Sequence, residues 1–256
     1  MDAADHLTAS DRDRGESCGP RAQPRSFLRR AIDATRASLP QDCALCSARA
    51  GNALVCAGCE ALLPRTRDAC PVCALPSLER RVCGACLAHP PPFAATVAAF
   101  VYAFPVDRLL QALKYGGRLA LADWAAGALA SAVAASDTLP VDAIVALPLA
   151  PARQRERGFN QAHEIARRVG TRLAVPLARP LVRAGSGPPQ AMLPWSARAK
   201  NVRGAFICSE DVAGLRLALV DDVMTTGATL AEAARALTDA GASRVDAWVV
   251  ARTLAA

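Results

Sequence analysis

Eight of the ten cysteines lie in four Cys-x-x-Cys pairs within residues 43–86. Each half of this stretch has the spacing C-x2-C-x9-C-x2-C, which makes it an internal repeat. A Cys-x-x-Cys turn presents two thiolates to one side of a metal ion, and two such turns complete a tetrahedral set. The repeat therefore predicts two structural zinc sites, and the ligands are the paired residues Cys43, Cys46, Cys56, Cys59, Cys70, Cys73, Cys83 and Cys86.

Two pairings of the cysteine turns satisfy this pattern. In the sequential pairing, the first two turns hold one Zn²⁺ and the last two hold the other. In a cross-braced pairing, the first turn joins the third, and the spacing does not choose between them. An iron–sulfur cluster or a set of redox thiols would use the same residues, but two repeated ribbons favour zinc.

A second candidate site lies in the stretch LALVDDVMTTGATL (217–230). Asp221 and Asp222 follow an apolar run, and their carboxylates can accept hydrogen bonds from vicinal hydroxyls. A turn that enters a helix presents backbone N–H groups to phosphate. The alternative is an ordinary surface turn, but an acidic pair directly after an apolar run favours the interpretation as a binding site. The residues that would form this pocket are Asp221, Asp222, Val223, Met224, Thr225, Thr226, Gly227, Ala228 and Thr229.

Arginine supplies almost all the positive charge of this chain. The formal net charge is +7, and Lys114 and Lys200 are the only lysines. Residues 150–205 contain eleven cations against two acids, a local excess of nine. Guanidinium groups match phosphate and carboxylate geometry, so this excess predicts a polyanionic ligand, either a phosphorylated small molecule or nucleic acid. The alternative is a solvated arginine-rich face.

The densest part of this basic region is the run RQRERGFN (153–160). Arg153, Arg155 and Arg157 can neutralise a pyrophosphate, or they can follow a single-stranded nucleic acid backbone while Phe159 stacks on a base. Lys114 and Arg118, near a Gly-Gly turn, can extend the same surface. A purely structural role, with Asn160 as a helix cap and Phe159 in the core, is the alternative for those two residues.

Composition divides the chain into four segments. Residues 1–26 are polar and charged and are expected to be disordered, and residues 27–42 are expected to form a short helix and a lead-in. Residues 43–88 form the cysteine module, a proline-rich linker follows it, and residues 93–254 form the main domain. Because the beginning has no apolar signal segment and no run is long enough to span a bilayer, we expect a cytoplasmic protein without a membrane span.

Strand and helix patterns alternate through the main domain. Strands are predicted over 93–102, 142–147, 215–220 and 245–251, and helices over 106–114, 119–135, 160–173 and 229–240. The last helix carries a capping-box pattern from Thr229 to Glu232, and residues 185–194 are predicted to be a loop. Unbroken apolar strands that alternate with helices predict an α/β fold with a mostly parallel sheet flanked by helices.

The decapeptide VDDVMTTGAT (220–229) resembles the phosphoribosyl-diphosphate (PRPP) signature of type I phosphoribosyltransferases. Three further segments follow a double zinc ribbon in this chain, namely LLQALKYGGR (109–118), VALPLAPARQRERGFNQAHEIA (145–166) and PPQAMLPWSARAKNVRGAF (188–206). In combination they are similar to the ComF family, the competence-associated phosphoribosyltransferase-like proteins of bacteria. The resemblance covers roughly residues 27–252.

The resemblance implies a role for each part of the pocket. Asp221 and Asp222 would hold the ribose hydroxyls, and residues 225–229 would hold the 5′-phosphate. Leu149, Ala150 and Arg153 would lie in the turn that meets pyrophosphate, Mg²⁺ would arrive with the ligand, and residues 185–200 would form a mobile loop. Position 225 is Thr, where 6-oxopurine enzymes of this class place an Asp that helps to deprotonate the base, so purine salvage is disfavoured.

Two functions are compatible with these features. In the first, the protein binds PRPP and acts with single-stranded DNA, and with proteins of the uptake machinery, in DNA uptake and processing during natural transformation. In the second, it is an active phosphoribosyltransferase, a glycosyltransferase that joins ribose 5-phosphate from PRPP to an unknown acceptor. The absence of a recognisable general base favours the first, and a PRPP consumption assay distinguishes them.

Overall fold

Strands and helices alternate along most of the chain that the computed structural model describes, which comprises residues 41–183 and 204–254. The strands are β1 (Gln41–Asp42), β2 (Arg49–Gly51), β3 (Thr96–Val101), β4 (Ala143–Ala146), β5 (Leu177–Ala178), β6 (Leu181–Arg183), β7 (Phe206–Cys208), β8 (Arg216–Met224) and β9 (Arg244–Arg252). The helices are α1 (Ala57–Ala61), α2 (Gly84–Ala88), α3 (Val106–Tyr115), α4 (Leu121–Ala134), α5 (Pro151–Arg157), α6 (Gln161–Leu173) and α7 (Ala228–Asp239). The predictions for residues 1–26, 27–39 and 185–200 fall outside the described residues.

The main domain is built on a five-stranded sheet in the order β3-β9-β8-β4-β5. Every neighbouring pair in this sheet is parallel. The sheet is covered on both faces, as the unbroken apolar strands predict. Ala218 and Val220 of β8 pack in one core, whereas Leu217 and Leu219 pack in the other. The predicted parallel α/β fold is therefore confirmed.

Helices cover the two faces unequally. Most buried residues of α3, α4 and α6 lie in the core that contains Ala218, and those of α7 and of the antiparallel pair β6–β7 lie in the core that contains Leu217. The connection after β4 therefore runs over one face and the helix after β8 lies on the other. Because β4 and β8 are neighbours, their carboxyl ends form a topological switch point, where open α/β sheets bind ligands.

Three predictions near this switch point need correction. Strand β8 was expected to end at Val220, but its pairing with β9 continues to Met224, so the acidic pair lies inside the strand. Residues 149–153 were expected to form a turn, but helix α5 begins at Pro151, a residue suited to the first helical position. The capping box is wrong because Gly227 is the N-cap, and the Glu232 carboxylate instead accepts the backbone N–H of Gly204 at 2.6 Å.

The cysteine module packs against the main domain within one compact unit, Gln41–Ala256. The segment that joins the two cysteine repeats runs beside edge strand β3, where Val101 N–H donates to the Pro64 carbonyl at 2.7 Å and Thr66 N–H donates to the Ala99 carbonyl at 3.3 Å. This contact covers backbone groups that an edge strand would otherwise expose. None of the helices in the described part of the chain combines the length and the apolar character needed to cross a membrane.

Candidate functional site

The eight paired cysteines form two separate clusters. Within each cluster, one sulfur atom from each of the four residues lies within 4.8 Å of the others. The pairing is sequential, so the cross-braced alternative is not the one adopted. The first cluster is Cys43, Cys46, Cys56 and Cys59, and the second is Cys70, Cys73, Cys83 and Cys86.

Backbone amides prepare one thiol of each cluster for ionisation. Burial acts to raise the pKa of Cys43, but hydrogen bonds from backbone N–H groups, led by that of Cys56, outweigh it and bring the pKa to about 6. Burial also acts to raise the pKa of Cys70, but hydrogen bonds from backbone N–H groups, of which that of Cys83 has the largest effect, bring it to about 7. Four sulfur donors in each set suit Zn²⁺, and a full protein ligand set leaves no position for a reacting water.

The switch point brings two predicted segments of the pocket together. Leu147 follows β4, and its backbone N–H donates to the Val220 carbonyl at 3.0 Å. The Asn160 side chain, which also caps α6, donates to the Leu147 carbonyl at 3.0 Å. Leu149 and Ala150 are partly exposed just beyond this contact, and Arg153 is exposed on α5. The segment after β4 is thus fixed beside the strand that carries the acidic pair.

The two carboxylates of β8 have different surroundings. Asp222 is 4% exposed, and its Oδ2 lies 2.6 Å from the Nζ of Lys114, at the end of α3. Asp221 is partly exposed, and neighbouring strand residues point to opposite faces. Burial first, and the adjacent Asp222 carboxylate second, raise the pKa of Asp221 well above its ordinary value. In this pair, Asp222 has a cation as its partner, whereas the raised pKa of Asp221 disfavours its ionised form.

The turn after β8 has the features of an anion site. Thr225 and Thr226 are exposed, and Gly227 has a φ of 81°, a left-handed conformation that glycine adopts without strain. Within the described residues, the backbone N–H groups of Thr225, Thr226 and Gly227 have no protein acceptor. They precede helix α7, whose N-terminus adds a partial positive charge. The arrangement can hold a phosphate.

The other predicted pocket residues lie on either side of this turn. Val223 and Met224 complete β8, and Met224 is 2% exposed. Its methyl group packs directly under Gly227, since a Cβ added to that glycine would lie 2.6 Å from the Met224 Cε. Ala228 and Thr229 begin α7 and are partly buried. Val223, Met224 and Ala228 contribute apolar side chains beside the turn, and Thr229 contributes a hydroxyl.

The predicted nucleic-acid residues divide into two groups. Arg118, Arg153 and Arg155 are exposed. Lys114 is directed to Asp222 instead. The Arg157 guanidinium lies 4.8 Å from the ring centre of Tyr115 and donates to its hydroxyl at 2.9 Å. Tyr115 is 68% exposed, so a ring backed by a cation lies beside the basic helix.

Sequence reasoning missed two arginines near the pocket. Arg252 ends β9 and is 5% exposed, and it contacts both the second cysteine cluster and the turn after β8. Arg183 lies over the Phe206 ring at 5.3 Å. Burial, followed by the charge of Arg153, lowers the pKa of Arg183. The only signal for Arg252 was a cation at the end of the apolar run AWVVA (247–251).

Comparisons with known families match both parts of the chain. Residues 34–87 match the double zinc ribbon domain, and residues 156–256 match the phosphoribosyl transferase domain. The DNA utilization protein YhgH of Salmonella typhi is 34% identical over 206 residues, covering 78% of this chain and 91% of that protein. Competence protein F of Haemophilus influenzae is 31% identical over 179 residues, covering 66% of this chain and 78% of that protein.

Two more distant similarities complete the comparison. The competence protein ComFC of Bacillus subtilis is 34% identical over 116 residues, covering 43% of this chain and 44% of that protein. Among solved structures, the glutamine PRPP amidotransferase of B. subtilis has a TM-score of 0.38 and 18% identity, covering 54% of this chain and 30% of that one.

Proposed function

Because this chain, a double zinc ribbon joined to a phosphoribosyltransferase-like domain, belongs to the ComF family, we propose that it binds PRPP with Mg²⁺ and acts in DNA uptake and processing. The names of its relatives, a DNA utilization protein and competence proteins, support the role in DNA handling. We propose that the protein acts in the cytoplasm, where it contacts single-stranded DNA and proteins of the uptake machinery.

One observation carries the PRPP proposal: an acidic pair and a turn with free amides meet at the switch point of the sheet. Asp221 and Asp222 offer acceptors for the ribose hydroxyls, and Thr225–Gly227 offers donors for the 5′-phosphate. The segment from Leu149 to Arg153 offers one cation and the start of a helix to the pyrophosphate. Lys114 compensates Asp222 before the ligand binds.

Magnesium fits this pocket through its oxygen ligands. Mg²⁺ prefers carboxylate and phosphate oxygens and keeps several waters, and Asp221 supplies a carboxylate at the carboxyl end of β8, close to the turn that would hold the phosphate. The ion would neutralise diphosphate charge when PRPP is bound. The role of the chain itself is to orient the sugar by its hydroxyls and to fix the 5′-phosphate at the helix N-terminus.

A thermal-shift series tests this proposal. PRPP with Mg²⁺ should raise the melting temperature, because a ligand of the folded state stabilises it by mass action. Ribose 5-phosphate should give a smaller shift, since it lacks the diphosphate. The pair change Asp221→Asn and Asp222→Asn should abolish the PRPP shift, whereas Asp142→Asn, at the opposite end of the sheet, should keep it. Equal shifts in all three proteins would place the ligand elsewhere.

The second candidate function is transfer of the phosphoribosyl group to an acceptor. The acidic pair and the turn beside it support this function, but position 225 is Thr and supplies no carboxylate base. We therefore expect PRPP binding without consumption in the absence of DNA. A pyrophosphate-release assay with a panel of nucleobases and single-stranded DNA decides the question, and turnover with any of them would establish an enzyme.

The nucleic-acid proposal depends on the surface beside the pocket. Arg153 and Arg155 are exposed on α5, and Arg157 backs the exposed ring of Tyr115. Cations that contact phosphates and an aromatic ring that stacks on a base are the two elements of single-strand binding. Tyr115→Ala should weaken single-stranded DNA binding by roughly tenfold, since one stacked base contributes about 1–3 kcal/mol. Fluorescence anisotropy with a labelled oligonucleotide measures this change, and an unchanged affinity would remove Tyr115 from the interface.

A further inference from the structure

The third Cys-x-x-Cys turn, Cys70–Cys73, which belongs to the second cluster, is bound to the main domain through three consecutive backbone carbonyls. Thr96, the first residue of β3, donates its backbone N–H to Pro71 O at 2.9 Å and its hydroxyl to Val72 O at 2.6 Å. Arg252 donates from Nε to Cys73 O at 2.9 Å. Each of these carbonyls belongs to the turn that also carries two zinc ligands, so the position of this turn is fixed relative to strands β3 and β9.

The other end of the Arg252 guanidinium binds the proposed phosphate turn. Its Nη1 lies 3.1 Å from the Met224 carbonyl and also contacts the Thr225 carbonyl. The same nitrogen lies 2.7 Å from the Thr253 carbonyl. The planar, nearly buried Arg252 guanidinium therefore joins the turn Cys70–Cys73 to Thr225, the first residue of the turn that would hold the 5′-phosphate. A single side chain spans the two sites.

The charge of Arg252 also requires a partner. A buried cation is costly unless an anion compensates it, and among the described residues its hydrogen-bond acceptors are carbonyls and one hydroxyl rather than carboxylates. Four thiolates around one Zn²⁺ have a formal charge of about −2. Because Arg252 binds the backbone of the ligand Cys73, the zinc-loaded second centre is the anion closest to it along these contacts.

Among residues 41–183 and 204–254, no contact of this kind joins the first cysteine cluster to the turn after β8. Its helix α1 carries Glu60, which accepts a hydrogen bond from Trp124 Nε1 at 3.1 Å on α4. The segment after it pairs with β3 through Pro64 and Thr66. The Glu60 contact is with α4 and the contacts of Pro64 and Thr66 are with edge strand β3, and none of them reaches the turn after β8. The two cysteine clusters therefore contact different parts of the main domain.

We propose that Arg252 is a positioning residue through which the second zinc centre, and not the first, holds residues 224–227 in the conformation that binds phosphate. Loss of zinc from the second centre releases the Cys73 carbonyl from its fixed position, and the turn loses its anchor. Loss of zinc from the first centre leaves the anchor intact. The effect on PRPP rests on the proposed function, whereas the effect on the shape of the turn does not.

Met224 provides a probe of the turn that needs no ligand. The chain has three methionines, and the Met224 methyl packs under Gly227. Full-length, zinc-loaded protein labelled with [¹³C-methyl]methionine gives a signal for this methyl, which Met224→Leu assigns. Cys56 and Cys83 occupy equivalent positions, each the N-cap of a short helix. Cys56→Ser and Cys83→Ser are therefore matched variants that impair one centre each.

The expected result is asymmetric. Cys83→Ser should shift or broaden the Met224 methyl signal, and Cys56→Ser should leave it in place. Arg252→Leu should move it while metal analysis still finds two zinc ions, and this variant decides the matter if Cys83→Ser does not fold. Equal signals in the two cysteine variants, or an unchanged signal in Arg252→Leu, would overturn the proposal.

Calorimetry with PRPP and Mg²⁺ on the same proteins adds the functional arm. Arg252→Leu and Cys83→Ser should weaken binding by at least about tenfold, as expected for loss of a charge-assisted hydrogen bond, and Cys56→Ser should bind as the parent does. Failure of the parent itself to bind PRPP would refute the proposed function, while the methyl signals would still decide whether the second centre holds the turn. Parent-like binding by Arg252→Leu would refute the positioning role.

Discussion

At the residue scale, the acidic pair of β8 is a costly arrangement for a ligand-free protein. Asp222 is buried and has Lys114 at 2.6 Å. Asp221 has no comparable contact with a cation among the described residues, and burial, followed by the adjacent carboxylate, raises its pKa. Binding sites retain such groups because a ligand repays the cost. Stability and ligand affinity should therefore respond in opposite directions when Asp221 is changed.

The raised pKa of Asp221 gives a prediction with a definite sign. The stabilisation from its proton is full below the unfolded pKa, about 4, and is lost as pH rises through the higher folded value. Asp221→Asn should therefore raise the melting temperature of the ligand-free protein at neutral pH. PRPP affinity of the parent should increase with pH as this carboxyl ionises. Thermal scans and calorimetry from pH 5 to pH 8 measure both effects.

Asp142 is the matched control for this change. Hydrogen bonding to the Arg216 side chain lowers its pKa, so its stabilisation is present above the unfolded pKa and is lost as pH falls. Asp142→Asn should lower the melting temperature at neutral pH. If both substitutions change the melting temperature in the same direction, the account of Asp221 is incorrect.

The contact between Lys114 and Asp222 gives a second residue-scale prediction. Lys114→Met leaves a buried carboxylate without its cation and should lower the free energy of unfolding by about 3 kcal/mol. Adding Asp222→Asn should recover much of this loss, which urea denaturation of the single and double variants measures. The exposed cation Arg108 on the same helix is the control, and Arg108→Met should change stability by less than about 0.5 kcal/mol. Additive effects of the Lys114 and Asp222 changes would contradict a coupled pair.

At the scale of elements, periodicity located the major strands and helices but not their ends. Strand β8 continues past Val220 because β9 still pairs with it, a tertiary contact that the sequence of β8 does not contain. No capping box forms because Gly227 rather than Thr229 is the N-cap, and the Glu232 carboxylate accepts hydrogen bonds from Gly204, 28 residues away, and from Arg235. The short strands β5, β6 and β7 were missed because two or three residues are too few to show alternation.

The pocket was predictable to a similar extent. Asp221, Asp222 and the turn at 225–227 form a local motif, so the sequence located them together. The partnership of Lys114 with Asp222 was not predictable, because it joins residues 108 positions apart, and Lys114 was instead expected at a nucleic-acid surface. That nucleic-acid role stays a prediction. Arg252 was missed for the same reason, since its contacts with Cys73 and Met224 are long-range.

Helix α5 gives the prediction at this scale. Changing Arg153, Arg155 and Arg157 together to Ala should weaken single-stranded DNA binding and flatten its salt dependence, because each phosphate contact contributes a slope of about −0.7. A change of roughly two units is expected if all three contact phosphate. Arg216→Ala, at the amino end of β8, should leave the slope unchanged. Titrations across a salt series measure it, and loss of PRPP affinity with unaltered DNA binding would assign these arginines to the small ligand alone.

At the scale of the whole molecule, the zinc ribbons belong to the same compact unit as the α/β domain. Cys43, Val55 and Leu63 of the first ribbon are part of the core that also contains Phe100 of β3. Thr96 and Arg252 bind the second ribbon. The ribbons are therefore packed as extensions of the sheet. Loss of metal should affect the α/β domain as well as the cysteine module.

Metal content tests this organisation. The protein purified without chelator should contain two zinc ions per chain, one for each cluster. Cys56→Ser should reduce this to about one, because the first site loses a thiolate and its ribbon loses the folding free energy that metal supplies. Elemental analysis against protein concentration gives the ratio. A value near one for the parent would contradict the presence of two sites.

We propose that PRPP binds at the turn after β8 and its acidic pair, and isothermal titration calorimetry measures this binding without a further assumption. Zinc-loaded protein titrated with PRPP and Mg²⁺ should show one site per chain, and the pair change Asp221→Asn and Asp222→Asn should abolish the binding heat while circular dichroism and zinc content stay as in the parent. Binding by the double variant with the affinity of the parent would contradict the claim.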